Sequence, residues 1–233
     1  LGNLAAAGRA ASEVRARGML VCDWGDRGHF QPWSVAEPGW ALGAGVAWNT
    51  ASAAELEGAS GDLVLRDVVD LFVFEDEARV LGDVVSRLGR VDELAHGRAT
   101  NGTALFFSLA FALAPFPHER AAGLDVDGVR AARAELEAVR AALPAARPGR
   151  ADGALVVAEF DQVAALLAFA ARLAESRLLA APGTPLAALP DRAELAAELE
   201  GLCARHRALW LERNRPGGLE ASAARLERIA AVL

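Results

Sequence analysis

The stretch MLVCDWGDRGHFQPWSVAEPGWALGAGVAWN, residues 19–49, decides the fold. It holds four of the chain's five tryptophans, Trp24, Trp33, Trp40 and Trp48. Met19-Leu20-Val21-Cys22 is a short apolar run that suits a β-strand, and it follows Gly18, a natural stop for a preceding helix. Trp24-Gly25-Asp26 leaves the carboxyl end of that strand, and Pro38 is placed to open the next helix at its first position. The segment therefore reads as a strand over 19–23, a loop, and a helix over about 38–48. In α/β folds, ligands are met just beyond the carboxyl ends of strands, which puts the expected site in this loop. Gly39, Gly43 and Gly45 spare bulk where that helix would lie close to a sheet. They are not a nucleotide fingerprint, because no Gly-rich turn joins strand to helix.

Outward from this stretch the pattern is helical. Residues 3–16 carry Leu4, Ala7, Ala11 and Val14 on one face. After an Ala/Ser/Gly cluster between Asn49 and Gly61, apolar residues recur at helical spacing behind a series of capping residues: Asp62, Asn101-Gly102-Thr103, Asp125 or Asp127, Asp152 and Asp191. Pro115 and Pro117, Pro182 to Pro185, and Pro216-Gly217-Gly218 punctuate them. The connections have bundle length, so an antiparallel helical domain is expected over 56–233, preceded by a distinct unit over 1–55.

One strand creates a difficulty, since its backbone N–H and C=O groups need neighbours. A helix–strand–helix unit with nothing to pair against is what the end of a barrel looks like without its earlier strands. The chain also begins at Leu1, inside an amphipathic pattern. The expected fold is thus mostly α: the terminal αβα unit of a (β/α)8 barrel, followed by an antiparallel helical domain, in a carboxyl-terminal fragment.

Composition narrows the function classes. The chain has 233 residues, 53% hydrophobic and 24% charged, which describes a globular protein rather than a disordered one. Its net charge of −7 disfavours phosphate backbones and anionic membranes, so neither nucleic acid nor membrane is an expected partner. The two cysteines, Cys22 and Cys203, show no metal or redox spacing, and no secretory signal opens the sequence. A reduced, cytoplasmic setting is expected, with no cofactor and no metal. The most apolar stretch, within residues 155–179, is interrupted by Glu159, Asp161, Arg172 and Glu175, so a buried helix is expected there rather than a membrane span of roughly 20 apolar residues.

Trp24, Gly25 and Asp26 form the strongest chemical group. An indole face can stack on the C–H surface of a sugar ring, a nearby carboxylate can accept hydroxyl hydrogen bonds, and the glycine allows a tight turn. A core Trp beside a solvated Asp is the plain alternative. Asp23 alternates with Trp24 along a strand, so Asp23 and Asp26 are not expected to share a pocket as an acid–base pair. His29 is read as a polar wall of the pocket or a turn residue. Asp92-Glu93 reads as a solvated helix face, and His206 packs on Trp210, one turn away. Arg213, Asn214 and Arg215, ahead of Pro-Gly-Gly, could reach a ligand or an adjoining subunit. They could equally complement the dipole at a helix end.

At these residues the chain resembles bacterial members of glycoside hydrolase family 20 and their close relatives, the β-N-acetylhexosaminidases. Residues 19–49 look like that family's final barrel strand and helix. DLFVFED (70–76), NGTALF (101–106) and RALWLERNRPGGLEAS (207–222) are similar to the helical domain that follows the barrel in one branch. The resemblance implies removal of terminal N-acetylhexosamine residues from a glycan or small glycoside. It also implies a retaining mechanism in which the substrate's own 2-acetamido oxygen attacks the anomeric carbon. The family's catalytic Asp-Glu pair lies on an earlier strand and is absent here, so no catalytic residue is assigned and the fragment alone is expected to be inactive. What carries over is Trp24 as a wall of the sugar pocket and Asp26 as an acceptor for sugar hydroxyls, where the family more often has Glu. A homodimer through the helical domain is a further expectation. The competing reading is an all-helical interaction module whose Trp-rich segment docks on a partner protein.

Overall fold

The computed structural model describes residues 1–56 and 58–233, and over these the chain is mostly helical. The helices are α1 (Gly2–Glu13), α2 (Trp33–Trp48), α3 (Gly58–Val68), α4 (Leu81–Leu94), α5 (Ala104–Ala110), α6 (Val126–Ala142), α7 (Gly153–Leu179), α8 (Arg192–Arg213) and α9 (Leu219–Ala230). Two compact units result. The first comprises Leu1–Trp24, Gln31–Ser86 and Ala142–Val157; the second comprises Gly25–Phe30, Arg87–Ala141 and Ala158–Leu233. The compositional boundary at 49–61 lies inside the first unit.

The first unit has a small aliphatic core in which Ala5 of α1, Leu42 and Val46 of α2, and Ala53 and Leu56 gather, with Leu4, Met19, Val64, Leu65 and Val68 against them. α1 ends earlier than its apolar pattern suggests. Arg15 takes a left-handed conformation (φ 51°), and the Ala16 N–H donates to the Ala11 carbonyl, so the helix closes there and not at Gly18. α2 begins earlier than expected, at Trp33. Pro32 holds the extended N-cap position, which leaves Pro38 buried inside the helix and not at its start.

The strand expected at 19–23 is not present: no strand occurs among the described residues, and one isolated bridge joins Asp76 to Pro148. The physical reason is the lack of a neighbour. Residues 19–23 run without helix or strand, and no backbone hydrogen bond forms from Met19 to Asp23 among the described residues. Their inner side does meet α2 as a strand would meet a helix. A Cβ on Gly43 would lie 2.5 Å from Cγ2 of Val21, whereas Gly39 and Gly45 face open space. Only Gly43 of the three therefore serves close packing.

Two carboxylates organise the amino end of α4. Asp70 Oδ1 accepts the Gly82 N–H at 2.7 Å. Asp76 accepts N–H groups of Ala78, Val80 and Leu81 and, from across the chain, of Arg147 at 2.6 Å. Burial by itself would raise the Asp76 carboxyl, but these four donors together hold it below the usual carboxylate range.

In the second unit α7 carries more buried apolar residues than any other helix. By length and composition it could cross a membrane, and 61% of its most apolar window is buried within the protein. Phe160, Phe169 and Leu173 are shut from solvent along it, as are Leu136 of α6, Leu195 and Leu199 of α8, and Leu226 of α9. Its charges are matched: Asp161 is held by Arg140 and Arg205, and Glu175 by Arg130 and Arg133.

Candidate functional site

Within the loop between α1 and α2, Arg27, Gly28 and His29 take positive φ in succession, at 61°, 106° and 53°. Two of the three are not glycine, and such backbone is retained only where its surroundings fix it. Those surroundings are on α8 and α9. The Ser222 hydroxyl donates to the Gly28 carbonyl, and His206 Nε2 lies 2.9 Å from the same hydroxyl. Phe30 is buried edge-on against His206 at 6.0 Å and Phe106 at 6.2 Å. A side chain on Gly28 would come within 2.7 Å of Arg225 Cδ and 2.8 Å of Phe30, so the position has no room for one.

The Ser222–His206 pair has the elements of a nucleophile and base, but not the arrangement. With the hydroxyl proton given to Gly28, His206 must donate from Nε2, which is the wrong tautomer for a general base. Both side chains are also buried. Burial, with Arg207 and His29 nearby, pushes the His206 imidazole down, so it is neutral at pH 7. The pair holds the loop in place.

Of the residues expected to bind substrate, Trp24 belongs to the first unit, while Asp26 and His29 belong to the second. Trp24 is 75% exposed, and its carbonyl accepts a long hydrogen bond from Gln31 Nε2 at 3.4 Å. Asp26 is exposed at the start of a single 3-10 turn, Asp26–Gly28. The His29 ring lies against Gly25, where a Cβ would sit 2.6 Å from Nδ1, and that nitrogen is shut from solvent without a hydrogen-bond partner. The glycine of Trp-Gly-Asp thus makes room for His29 as well as for the turn. Arg27 places its guanidinium 4.4 Å over the Phe111 ring.

The Arg213–Asn214–Arg215 group is divided in its duties. Arg213 forms two hydrogen bonds, at 2.8 and 2.9 Å, with the fully buried carboxylate of Glu159. Asn214 ends α8, and the Arg215 carbonyl accepts the Trp210 indole N–H at 3.0 Å. Arg207 is forked between Glu220 and Glu227. The RALWLERNRPGGLEAS stretch is therefore a fastening between α8 and α9, closed by Gly218 at φ 89°. NGTALF behaves similarly: Thr103 caps α5 through the Phe106 N–H at 3.1 Å, and Asp92 accepts the N–H groups of Ala104 and Leu105. Asp92 is thus a capping residue and not a solvated one.

Sequence reasoning passed over Ser222 and the Arg147 contact of Asp76 because their partners are remote in the chain, 194 and 71 positions away. Cys203 is buried, and burial with the nearby Glu227 pushes its thiol up to about 11, so it is inert. Among the described residues no group of three or more His, Cys, Asp or Glu side chains is arranged for a metal ion.

No family profile, curated protein or solved structure matches this chain.

Proposed function

We propose that this chain is the carboxyl-terminal part of a glycoside hydrolase resembling the β-N-acetylhexosaminidases. In this reading residues 19–23 are the last strand of a (β/α)8 barrel, and the 24–29 loop is one wall of its sugar site. Trp24 stacks on the sugar ring, Asp26 accepts hydroxyl hydrogen bonds, and His29 is a polar part of the wall. The attacking group is the substrate's 2-acetamido oxygen, and the general acid comes from elsewhere in the protein.

The observation that carries this reading is the condition of residues 19–24. An apolar run whose backbone forms no hydrogen bond from Met19 to Asp23 among the described residues, with Leu20 86% exposed and Trp24 75% exposed, packs on the first unit through Met19 and Val21. That is how a barrel strand looks when its neighbours are not alongside it. The same exposure, with Trp48 at 93%, supports the second reading, a helical module whose aromatic segment docks on a partner protein.

Reading the coding sequence upstream of Leu1 and expressing the whole product separates the two. Strand–helix units, an Asp-Glu pair and cleavage of a chromogenic N-acetyl-β-glucosaminide support the hydrolase. An upstream stop codon, or a full product that does not cleave it, removes that reading.

A further inference from the structure

Two cavities in the second unit differ in how they treat charge. The smaller, of about 340 Å³, is lined by Arg133, Arg172, Glu175 and Asp191 among others. Each of these is matched: Arg133 with Glu175, Arg172 with Glu198, and Asp191 with the Ser176 hydroxyl. The larger, of about 550 Å³, lies among the chain after α5, the end of α7 and the 182–186 turn, and its lining contains no acidic residue. Its one charge is Arg177.

Arg177 donates to the carbonyls of Ala112 at 2.8 Å and Ala114 at 3.0 Å, and its guanidinium carbon sits 4.5 Å over the Phe116 ring. Among the described residues no carboxylate pairs with it, and its Nε is buried without a hydrogen-bond partner. A guanidinium has five N–H donors, so two are used by these carbonyls and one remains on each terminal nitrogen. Burial lowers its pKa, but an arginine still keeps its proton at neutral pH. The two carbonyl dipoles and the ring face compensate the charge only in part. Apart from Thr184, the remaining side chains of the lining are apolar, among them Leu113, Pro115, Pro182, Pro185 and Val232. The volume falls within the roughly 300–1,000 Å³ range of small-molecule sites.

We propose that this cavity binds a small organic monocarboxylate, its carboxylate on Arg177 and its hydrocarbon body against the proline-rich wall. A planar carboxylate matches the two remaining terminal donors of the guanidinium, and the only other polar side chain of the lining, Thr184, already spends its hydroxyl proton on the Ala181 carbonyl, so no second cation or side-chain donor is left for a second charge. The site is separate from the 24–29 loop and does not depend on the sugar reading.

The test is a titration of the full 233-residue chain, labelled with nitrogen-15, with sodium hexanoate, hexanamide and inorganic phosphate, following the arginine Nε–H resonances. The Arg177 signal, identified by its loss in Arg177→Gln, should shift saturably with hexanoate, at an affinity at least tenfold above hexanamide. Phosphate should compete poorly. Leu113→Trp, which fills the cavity and keeps the arginine, should weaken hexanoate at least tenfold, and this arm stands even if Arg177→Gln does not fold. Equal affinity for acid and amide, no saturable shift, or hexanoate binding untouched by Leu113→Trp would overturn the proposal. A phosphate affinity above that of hexanoate would also overturn it, by assigning the cavity to inorganic anions.

Discussion

The two units differ in how many large apolar side chains they leave in water. In the second, Phe160, Phe169, Leu173, Leu195 and Leu226 are all buried, and the carboxylates of α7 each meet an arginine. In the first, a small aliphatic core coexists with Leu20, Trp24, Trp33, Trp48 and Phe72 in water. Burying a large apolar side chain is worth about 1.5–3 kcal/mol, so the first unit forgoes that gain several times over. Single exposed hydrophobics are ordinary, but among the described residues the first unit exposes nine large ones against five in the second, and only the first unit's set includes aromatic rings, those of Trp24, Trp33, Trp48 and Phe72. The lesson is that the second unit holds itself together by its own contacts, while the first presents material suited to further contacts.

The contrast can be broken by substitution. The largest effect is expected at the buried ion pair of the second unit: Arg213→Ala leaves Glu159 charged and unpaired and should cost about 3–5 kcal/mol in urea unfolding. Arg215→Ala, two positions on and exposed, should stay within about 0.5 kcal/mol. A ligand or subunit role for Arg215 would show instead as a change in oligomer size or sugar affinity. Asp76→Ala strips the acceptor from four backbone donors and should cost about 3 kcal/mol. A cost below about 1 kcal/mol would mean that water replaces the carboxylate and that the first unit lacks even this anchor.

A pH experiment addresses the link that positions the loop. The folded protein resists protonating His206, whereas the unfolded chain takes up that proton near pH 6.5. Stability should therefore fall as pH drops below about 6.5, by at most about 1.4 kcal/mol per pH unit, until the folded imidazole itself titrates. His206→Gln should flatten that part of the profile, and an unchanged slope would exclude His206 as its source. The smallest effects belong to the first unit's aromatics. Trp24→Ala and Trp48→Ala should each move stability by no more than about 0.5 kcal/mol, and a loss above about 2 kcal/mol would show that these indoles are buried in solution.

Most helices were legible because their apolar residues repeat at helical spacing and an Asp or Thr stands before several of them. Thr103 and Asp125 cap where the sequence places them. What misled was proline: Pro38 has the look of a first helical residue, but Pro32 closes the loop first and α2 runs through Pro38. The strand was a misreading: the apolar run in 19–23 suits β structure, but among the described residues no neighbour pairs with it and no strand forms. Of the candidate site, Trp24 and Asp26 are exposed. The Ser222, Phe30 and His206 contacts that fix the loop could not be read, because they join residues nearly a whole chain apart. Arg213 looked free because its partner, Glu159, lies 54 positions away on another helix.

The central claim is that the 24–29 loop is a wall of a sugar site completed by further protein. It is tested most directly by kcat/KM for a chromogenic N-acetyl-β-glucosaminide, measured on the product of the whole coding sequence with and without Asp26→Ala. The account predicts cleavage by the intact protein, a loss of at least about tenfold in the variant if one charge-assisted hydrogen bond to the substrate is removed, and no turnover by residues 1–233 alone. Cleavage indifferent to Asp26→Ala, or turnover by residues 1–233 alone, would contradict it.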